Sequence, residues 1–498
     1  MPPTSPPPRL LLPIASYAVL LVAALQTLVV PVVANIRADL GVTATSASWV
    51  VTANLLAAAV LTPTLGRLGD LYGRRPVMIG VAVVVLAGSV IAATTSSLPL
   101  LIVARVLQAA SFGLFPLAIG VLREELPPRR LTGAMAVVSG MLAVGAGLGL
   151  AVTGLLMRHG GDYHRLFWLA TALSAVGLAG MVALPRRKAA GTGRLDWIGA
   201  GLLGLGLVLL ILPLEEGNGW GWSSPRVLGS LAGAVVVFAI FVLAERRIAE
   251  PLVSTRMLTH RPIVFANVAG LFLGFAMFAV FLAVSNLVQA PPALAGYGFH
   301  STVLATSMVY LLPGTAGGVI TAPLGGRLVL RYGAKATLVI AALLAFVGFG
   351  VLAVLHAATW QVIVGACAVN TAVTFGYAAL PALLVEHVSP AETGIANSVN
   401  SIARSVGMSL GTAFVVTMLT RNLVDGAPVP LPHEEQFVSV FAVGAVLAIL
   451  AAALIAWGLP RSRSVALTVR EVEEEEVFGA AGLDVPADLL ARQSAPRP

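Results

Sequence analysis

Two arginines lie in long segments of the sequence that are otherwise free of charge. In the first of these segments, Gln108 and Ser111 follow Arg105 at intervals of three residues, which makes a polar stripe along a helix. The guanidinium and the amide can donate several hydrogen bonds, either to a polar substrate or to the neighbouring first segment. The alternative is a buried structural pairing of Arg105 with Gln26 or with a backbone carbonyl, and the sequence leaves both open.

The second arginine, Arg404, follows Asn397 and Asn400 at a spacing that places all three on one helical face. We expect this polar face either to line a ligand cavity or to form a polar contact between packed helices. Gln289 and Tyr377 are further side chains that we expect at such a cavity. A cavity whose only charges are arginines favours neutral or anionic amphiphiles over lipophilic cations.

A glycine-rich basic segment could supply a movable contact; it reads Gly66-Arg67-Leu68-Gly69-Asp70-Leu71-Tyr72-Gly73-Arg74-Arg75. Its three glycines predict a tight reversal between two helices, with close backbone approach and positive φ. Its single acid can pair with an arginine or with a helix N-terminus, and such a latch could bias two conformations. The simpler interpretation is that the arginines of this segment only keep it on the inner side of the membrane. The predicted switch residues are Gly66, Asp70, Gly73, Arg74 and Arg75.

The composition identifies the environment in which these residues lie. The chain has 498 residues, of which 58% are hydrophobic and 10% are charged, against about 25% charged residues in soluble domains. This excludes a soluble enzyme, a disordered protein and a nucleic-acid binder, in spite of the net charge of +8. The single cysteine, Cys367, excludes an internal disulfide and a cysteine-built metal site.

Stretches without Asp, Glu, Lys or Arg predict the membrane spans, since a spanning helix needs about 20 apolar residues. The longest stretches, Pro262–Gly326 and Ala336–Val385, must each hold two spans. With Thr393–Thr420, which contains only Arg404, the sequence predicts fourteen helices and no barrel. With the N-terminus inside, 23 of the 30 basic residues lie on the inner side and 5 on the outer side. We therefore expect both termini in the cytoplasm.

An internal repeat divides the spans into two sets. The glycine-rich segment recurs, 260 residues later, as Gly326-Arg327-Leu328-Val329-Leu330-Arg331-Tyr332-Gly333-Ala334-Lys335. Each copy follows the second helix of a six-helix half. The predicted units are a first half at 1–185, an inserted helix pair with its linkers at 186–261, a second half at 262–460 and a cytoplasmic tail at 461–498.

This plan resembles the major facilitator superfamily, whose substrate site lies between two six-helix halves near the middle of the membrane. The segment Gly66–Arg75 is similar to its loop signature, which is linked to the conformational switch, and Leu101–Gln108 is similar to its fourth-helix motif. Fourteen spans with an inserted pair resemble the drug–proton antiporter branch. In the fifth helix, Gly145 and Gly149 predict close helix packing, but Leu150 replaces the proline that is usual in that branch.

The acidic residues are inconsistent with the usual proton coupling of that branch. None of the 22 acids falls at the centre of a predicted span, and Gln26 occupies the place where many members carry an aspartate. Two hypotheses follow. Protons couple at a membrane edge, through Asp39, Asp70 or Glu386, or the protein is uncoupled or driven by its substrate gradient.

The resemblance implies an exporter of hydrophobic or amphiphilic small molecules that works by alternating access. The alternatives are an importer of a small nutrient and a non-transporting receptor or membrane enzyme, although the sequence shows no metalloprotease motif, nucleophile elbow or phosphate loop. We expect no cofactor, metal or nucleic-acid partner, only substrate and membrane lipids, and a monomer. Arginine outnumbers lysine 28 to 2, which indicates a GC-rich bacterium and hence its inner membrane.

Overall fold

The computed structural model describes residues 10–126, 128–158, 162–185, 196–248, 260–387, 393–424 and 431–459. These ranges are helical apart from short connections and one isolated antiparallel bridge between Leu423 and Pro432. The predicted tail at 461–498 lies outside the described residues. The protein is therefore all-α in its described part, as the apolar pattern predicts.

Eight helices make up the first half, namely α1 (Leu11–Thr27), α2 (Val33–Leu40), α3 (Ala44–Tyr72), α4 (Arg74–Thr94), α5 (Leu98–Gln108), α6 (Leu114–Glu125), α7 (Pro128–Leu156) and α8 (His164–Val182). Two short 3₁₀ turns, Val30–Val32 and Ala109–Gly113, join α1 to α2 and α5 to α6. Each of these pairs forms one apolar stretch long enough to cross a membrane.

The rest of the described chain contains the inserted pair, α9 (Trp197–Trp220) and α10 (Pro225–Glu245), followed by α11 (Arg261–Gln289), α12 (Pro292–Ala295), α13 (Val303–Ala305), α14 (Leu312–Val354), α15 (Thr359–His387), α16 (Thr393–Leu419) and α17 (Glu434–Gly458). A π-helical turn, Thr306–Leu311, leads into α14. The chain breaks after Gln289 and after Val354, which divides each of the stretches Pro262–Gly326 and Ala336–Val385 as two spans in each require.

Twelve helices of the described chain are long and apolar enough to cross a membrane, against fourteen predicted from the sequence. The difference arises at two places. Val303–Val354 is one helical stretch of 52 residues, and the apolar part of α7 is the shorter Val144–Leu156. The described chain is therefore a polytopic helical membrane protein.

The two copies of the glycine-rich segment have the same backbone turn. Gly73 has φ 92° and ψ 143° between α3 and α4, and Gly333 has φ 83° and ψ 165° inside α14. Both values favour glycine, so the repeat in sequence is also a repeat in geometry. The predicted loop was too long, because α3 continues to Tyr72 and includes Gly66 and Gly69. Gly69 instead permits close packing, since a Cβ there would overlap the Leu117 side chain.

Glycines also set the closest helix contacts within each half. In α7, a Cβ on Gly145 would overlap the Leu20 carbonyl oxygen of α1, and one on Gly149 would overlap Thr27 Oγ1. In α16, Gly407 and Gly411 meet the backbone of α11 in the same way. The offset between the glycine pairs is 262 residues. Small residues let helices approach closely in lipid, where dispersion rather than hydrophobic burial drives association.

The halves meet where α3 packs on α16 and where α7 packs on α14. The inserted helix α9 contacts both α3 and α16, and it does so unequally. Against α16 it forms hydrogen bonds, since Asn218 Nδ2 donates to the Thr417 carbonyl at 2.7 Å and Thr417 Oγ1 donates to the Leu214 carbonyl at 2.6 Å. Against α3 it makes apolar contacts, such as the one that places Gly204 beside Val60. The pair is thus attached more firmly to the second half.

Candidate functional site

Arg105 lies inside the first half and is only 2% exposed. Its Nε donates to the Val50 carbonyl of α3 at 2.9 Å. Its Nη1 donates to Gln108 Oε1 at 2.7 Å and, at 3.4 Å, to the Leu25 carbonyl of α1. The guanidinium therefore joins three spans through neutral acceptors, which offsets the cost of burying its charge.

The hydrogen bonds continue beyond the arginine side chain. Asn54 Nδ2 donates to the Arg105 carbonyl at 2.7 Å, and Gln108 Nε2 donates to Ser89 Oγ of α4 at 2.9 Å. The cleft beside Arg105 and Gln108 has no room for a water molecule. The network thus links the first four spans and fixes Arg105 in one position. Of the open interpretations, this geometry corresponds to carbonyl pairing, while any role of Arg105 and Gln108 in a substrate cavity stays a prediction.

Arg404 has a different environment on α16. Its side chain is partly exposed, and Nη2 donates to Ser401 Oγ at 3.1 Å. Its Cζ lies 5.1 Å from the centroid of the Tyr377 ring on α15, within the range of a cation–π interaction. One turn earlier on α16, Asn400 is buried and donates to the Ala266 carbonyl of α11 at 2.9 Å. Asn400 therefore packs α16 on α11, while Arg404 keeps donors available.

Two of the predicted polar residues connect the halves. Gln26 Nε2 donates to Met408 Sδ at 3.3 Å, from α1 to α16. Gln289 Nε2 donates to the Pro31 carbonyl at 3.4 Å and to the Ser285 carbonyl of its own helix at 3.0 Å. A thioether is a weak acceptor and 3.4 Å is a long hydrogen bond, so both links are easily broken.

Met408 follows Arg404 by one helical turn, so both side chains lie on one face of α16. Met408 contacts Gln26 of α1 in the other half, while the Arg404 side chain passes close to Gly270 of α11 and reaches Tyr377 of α15. We define the interface site as Gln26, Tyr377, Arg404 and Met408. Sequence reasoning identified three of its members but not Met408, because an unpaired methionine in an apolar helix carries no signal of its own.

The basic residues of the switch segment contact their own half. Arg74 Nη1 donates to the Gly120 carbonyl at 2.9 Å and pairs with Glu124 of α6. Arg75 Nη2 donates to the Val182 carbonyl at the end of α8 at 2.6 Å. Lys335, which corresponds to Arg75 in the repeat, donates likewise to the Leu459 carbonyl after α17. These contacts tie the third and sixth spans of each half together. The side chain of Asp70 lies outside the described residues.

The other predicted proton sites are at the edges of the helices. Asp39 is exposed near the end of α2, and the side chain of Glu386 lies outside the described residues. Among loop groups, burial raises the pKa of Asp162, but hydrogen bonds from His164 outweigh it and leave that pKa below its usual value. Burial and the nearby Glu434 carboxylate raise the pKa of Tyr297 to about 12. Neither loop group changes its protonation near neutral pH.

An apolar pocket of about 500 Å³ is lined by α9, α11, α16 and α17 and by Trp222, and neither arginine is among its lining residues. Thr417 is its only polar lining residue apart from the indole N–H of Trp222, which donates to Asn218 Oδ1 at 3.0 Å. Its volume falls within the range of about 300–1,000 Å³ that is usual for ligand pockets. Sequence reasoning missed this pocket, since its lining comes from four elements far apart in the chain, including Leu214, Phe272, Phe414, Leu447 and Leu454.

The helices, the repeated glycine turns and the interface between the halves define a polytopic helical membrane protein built from two related bundles. Residues 15–412 and 273–495 match the Major Facilitator Superfamily. The chain belongs to this superfamily.

Relatives with assigned names cover most of the chain. It is 29% identical over 428 residues to the tetracenomycin C resistance and export protein of Streptomyces glaucescens, which covers 83% of this chain and 76% of that protein. It is 28% identical over 410 residues to multidrug resistance protein 3 of Bacillus subtilis, at 79% and 76% coverage. It is 28% identical over 423 residues to a probable actinorhodin transporter of Streptomyces coelicolor, at 79% and 70% coverage.

Solved structures share the fold at low sequence identity. The nucleoside transporter NupG superposes with a TM-score of 0.63 at 13% identity, covering 91% of this chain and all of that one. The human organic anion transporter MFSD10 gives a TM-score of 0.58 at 17% identity with the same coverage. At these identities the similarity concerns the fold alone.

Proposed function

We propose that this chain exports hydrophobic or amphiphilic small molecules, such as antibiotics or other drugs, by alternating access. The observation that carries the proposal is the contact of Met408 with Gln26 of the other half, one helical turn from Arg404. Its surroundings are apolar helices, which suit a ligand with a large apolar part. The relatives named as multidrug and antibiotic export proteins support the same substrate class.

Alternating access requires rigid halves and a weak contact between them. Each half is held together internally by glycine-mediated helix contacts and by the Arg75 or Lys335 contact with its sixth span. Two polar links between the described parts of the halves are the weak bonds of Gln26 and Gln289. The halves can therefore rock against each other at a smaller cost than either half can deform.

The charge of the interface site indicates its ligand preference. Arg404 has neutral described partners, the Ser401 hydroxyl and the Tyr377 ring, so its positive charge is not neutralised there. We propose that the protein prefers neutral and anionic amphiphiles over lipophilic cations.

We also propose fourteen membrane crossings with both termini in the cytoplasm. The turn at Gly333 can divide Val303–Val354 into two crossings, and the helix bounds of α7 span 29 residues. These two additions bring the twelve candidate spans to fourteen. The excess of basic residues on one side supports cytoplasmic termini. Cysteine accessibility tagging of a cysteine-free variant, with single cysteines at the exposed residues Tyr72 and Tyr332 beside the two turns, would test whether both turns face the cytoplasm.

Export is tested most directly in two assays. A strain that overproduces the protein should become less susceptible to a panel of hydrophobic antibiotics, and a strain that lacks it more susceptible. Proteoliposomes should then accumulate neutral or anionic amphiphiles more than cations such as ethidium. An unchanged susceptibility profile together with growth dependence on a small nutrient would favour import instead, and preferred transport of ethidium would contradict the charge preference.

A further inference from the structure

The apolar pocket beside α16 opens on the lipid-facing surface of the bundle. Leu450 and Leu454 of α17 line it and are 51% and 42% exposed, whereas Ala451 between them is 4% exposed. The exposed side chains therefore form the rim of the pocket, and Ala451 belongs to its floor. Because α17 is long and apolar enough to cross a membrane, this rim faces hydrocarbon rather than water.

The pocket extends along the helices for more than half of the membrane. Gly411 of α16 meets Phe275 of α11, so these two residues lie at the same level. Met418 follows Gly411 by seven residues toward one end of the pocket, and Val268 precedes Phe275 by seven residues toward the other. At a rise of about 1.5 Å per residue, the lining from Met418 to Val268 covers about 20 Å. One leaflet contributes about 15 Å of the hydrocarbon core, so an extended acyl chain fits this length.

The polar groups at the pocket are already bonded within the protein. Thr417 Oγ1 donates to the Leu214 carbonyl at 2.6 Å, and Trp222 Nε1 donates to Asn218 Oδ1 at 3.0 Å. A ligand whose polar group entered the pocket would lose its water and gain no partner from these groups, which is unfavourable. The lining therefore suits a ligand segment that is hydrocarbon throughout.

An open crevice of this kind does not stay empty in a bilayer. Side chains that line a void lose dispersion contacts, and water does not fill an apolar cavity. The atoms that can reach the rim from the surrounding membrane belong to acyl chains. A chain lying in the pocket restores the missing contacts between α9, α11, α16 and α17.

The end of the pocket near Trp222 has the features of a headgroup region. Trp222 is partly exposed in the connection between α9 and α10, and tryptophan is enriched at the membrane–water interface. Arg226 lies in the first turn of α10 and is exposed. Arg421 is also exposed, and its backbone N–H donates to the carbonyl of the lining residue Met418 at 3.3 Å. Two arginines at this end are complementary to a phosphate group.

We propose that the pocket binds one acyl chain of a membrane phospholipid whose headgroup lies beside Trp222, Arg226 and Arg421. The bound chain completes the packing between the inserted pair and the second half. Under the proposed topology this lipid belongs to the outer leaflet. The lipid site does not depend on the proposed export function.

Fluorescence quenching by phosphatidylglycerol with brominated acyl chains tests the site, since bromine quenches tryptophan on contact. Two full-length proteins are compared in detergent, one that keeps only Trp222 and one that keeps only Trp168, with phenylalanine at the other tryptophan positions. Trp168 is exposed on α8 and does not line the pocket, so it reports ordinary surrounding lipid. Quenching of Trp222 should saturate at about one lipid per protein, whereas quenching of Trp168 should rise only with the lipid content of the micelle.

A variant that fills the pocket provides the matched control. Ala451→Phe places a ring over the floor and should abolish the saturable quenching of Trp222. Val446→Phe adds the same ring on α17 at an exposed residue that does not line the pocket, and it should keep the quenching. Native mass spectrometry of the wild type and of both variants, each with its own tryptophans, should show one retained phosphatidylglycerol except in Ala451→Phe.

Several outcomes would overturn the proposal. Equal quenching curves for Trp222 and Trp168, or saturable quenching that survives Ala451→Phe, would exclude the acyl-chain site. Saturable quenching that is absent with lipid, while a hydrophobic antibiotic changes Trp222 fluorescence saturably, would identify a transported substrate as the occupant instead. The double variant Arg226→Gln, Arg421→Gln should weaken lipid binding several-fold, and unchanged binding would refute the headgroup position. These measurements need no transport, so their failure leaves the proposed export function untouched.

Discussion

Arg105 and Arg404 are both arginines in apolar helices, one in each half, yet their surroundings differ in kind. Arg105 is 2% exposed and donates to two backbone carbonyls and an amide oxygen, on three spans of its own half. Arg404 is partly exposed and donates to one hydroxyl on its own helix, with an aromatic ring beside it. The first guanidinium has three described acceptors within its own half, while the second has one.

The comparison shows that the position of a charge in an apolar segment does not determine its role. A guanidinium has five N–H donors in a fixed geometry, and what matters is how many of them the protein itself uses. Backbone carbonyls of neighbouring helices can accept such donors without any carboxylate. The predictions below test whether the first arginine stabilises the fold and the second serves transport.

The largest effect is expected for Arg105→Leu. This change removes the donor that Gln108 Oε1 and the Val50 carbonyl accept from, and it leaves the amide oxygen buried without a partner. We expect a loss of about 3 kcal/mol in stability, since each orphaned buried polar group costs about 1–3 kcal/mol. The yield of monodisperse protein and the midpoint of thermal unfolding in detergent measure this. The matched variant Arg404→Leu should fold normally, and equal losses in both variants would contradict the comparison.

Arg404→Leu should instead reduce transport of anionic amphiphiles about tenfold or more. A hydrogen bond to a charged group contributes about 1.5–3 kcal/mol, and about 1.4 kcal/mol corresponds to a factor of ten. Arg404→Lys should fall between the wild type and Arg404→Leu, because lysine keeps the charge but not the planar fork. Initial uptake rates for a matched anionic and cationic pair are the measurement, and an equal loss for both would argue against a charge role.

Removing one neutral hydrogen-bond partner of each arginine should give a smaller difference in stability between the two sites. Gln108→Ala breaks the bonds to Arg105 and Ser89 in a dry cleft, so we expect a stability loss of about 1 kcal/mol. Ser401→Ala removes only the hydroxyl beside the partly exposed Arg404, so its unfolding midpoint should match that of the wild type. A destabilisation by Ser401→Ala as large as that by Gln108→Ala would show that Arg404 is also structural.

The smallest effect is expected at the aromatic ring beside Arg404. Tyr377→Leu removes a cation–π interaction that contributes about 0.6 kcal/mol at a partly exposed site, so apparent substrate affinity should change about threefold. Tyr377→Phe keeps the ring and loses only a weak contact of the hydroxyl with Met277 Sδ at 3.7 Å, so it should transport like the wild type. If Tyr377→Phe loses as much affinity as Tyr377→Leu, the hydroxyl matters rather than the ring, and if neither variant loses affinity, the cation–π interaction has no part in transport.

Local patterns in the sequence predicted the helical class, the repeat and the residues Arg105 and Arg404. These follow from composition and periodicity, which do not depend on how helices pack. The positive φ at Gly73 and Gly333 agrees with the repeat. The expected positive φ was wrong for Gly66 and Gly69, which lie inside α3, because glycine permits positive φ without requiring it, whereas the expected close approach is present at Gly69.

Contacts between distant helices could not be read from the sequence. Gln26 meets Met408 across 382 positions, and the apolar pocket draws its lining from four distant helices. At the sequence level its lining residues are ordinary apolar positions of membrane spans. The partners of Arg105 were equally hidden, because backbone carbonyls exist at every position and only the fold selects two of them.

The unequal attachment of α9 affects how the protein moves in its surroundings. Asn218 and Thr417 bond α9 to α16, whereas the described contacts of α9 with α3 are apolar, so we expect the inserted pair to accompany the second half in the proposed rocking motion. The body that moves on that side is therefore wider by two helices and displaces more lipid. We therefore expect the bilayer to resist movement of the second half more than movement of the first.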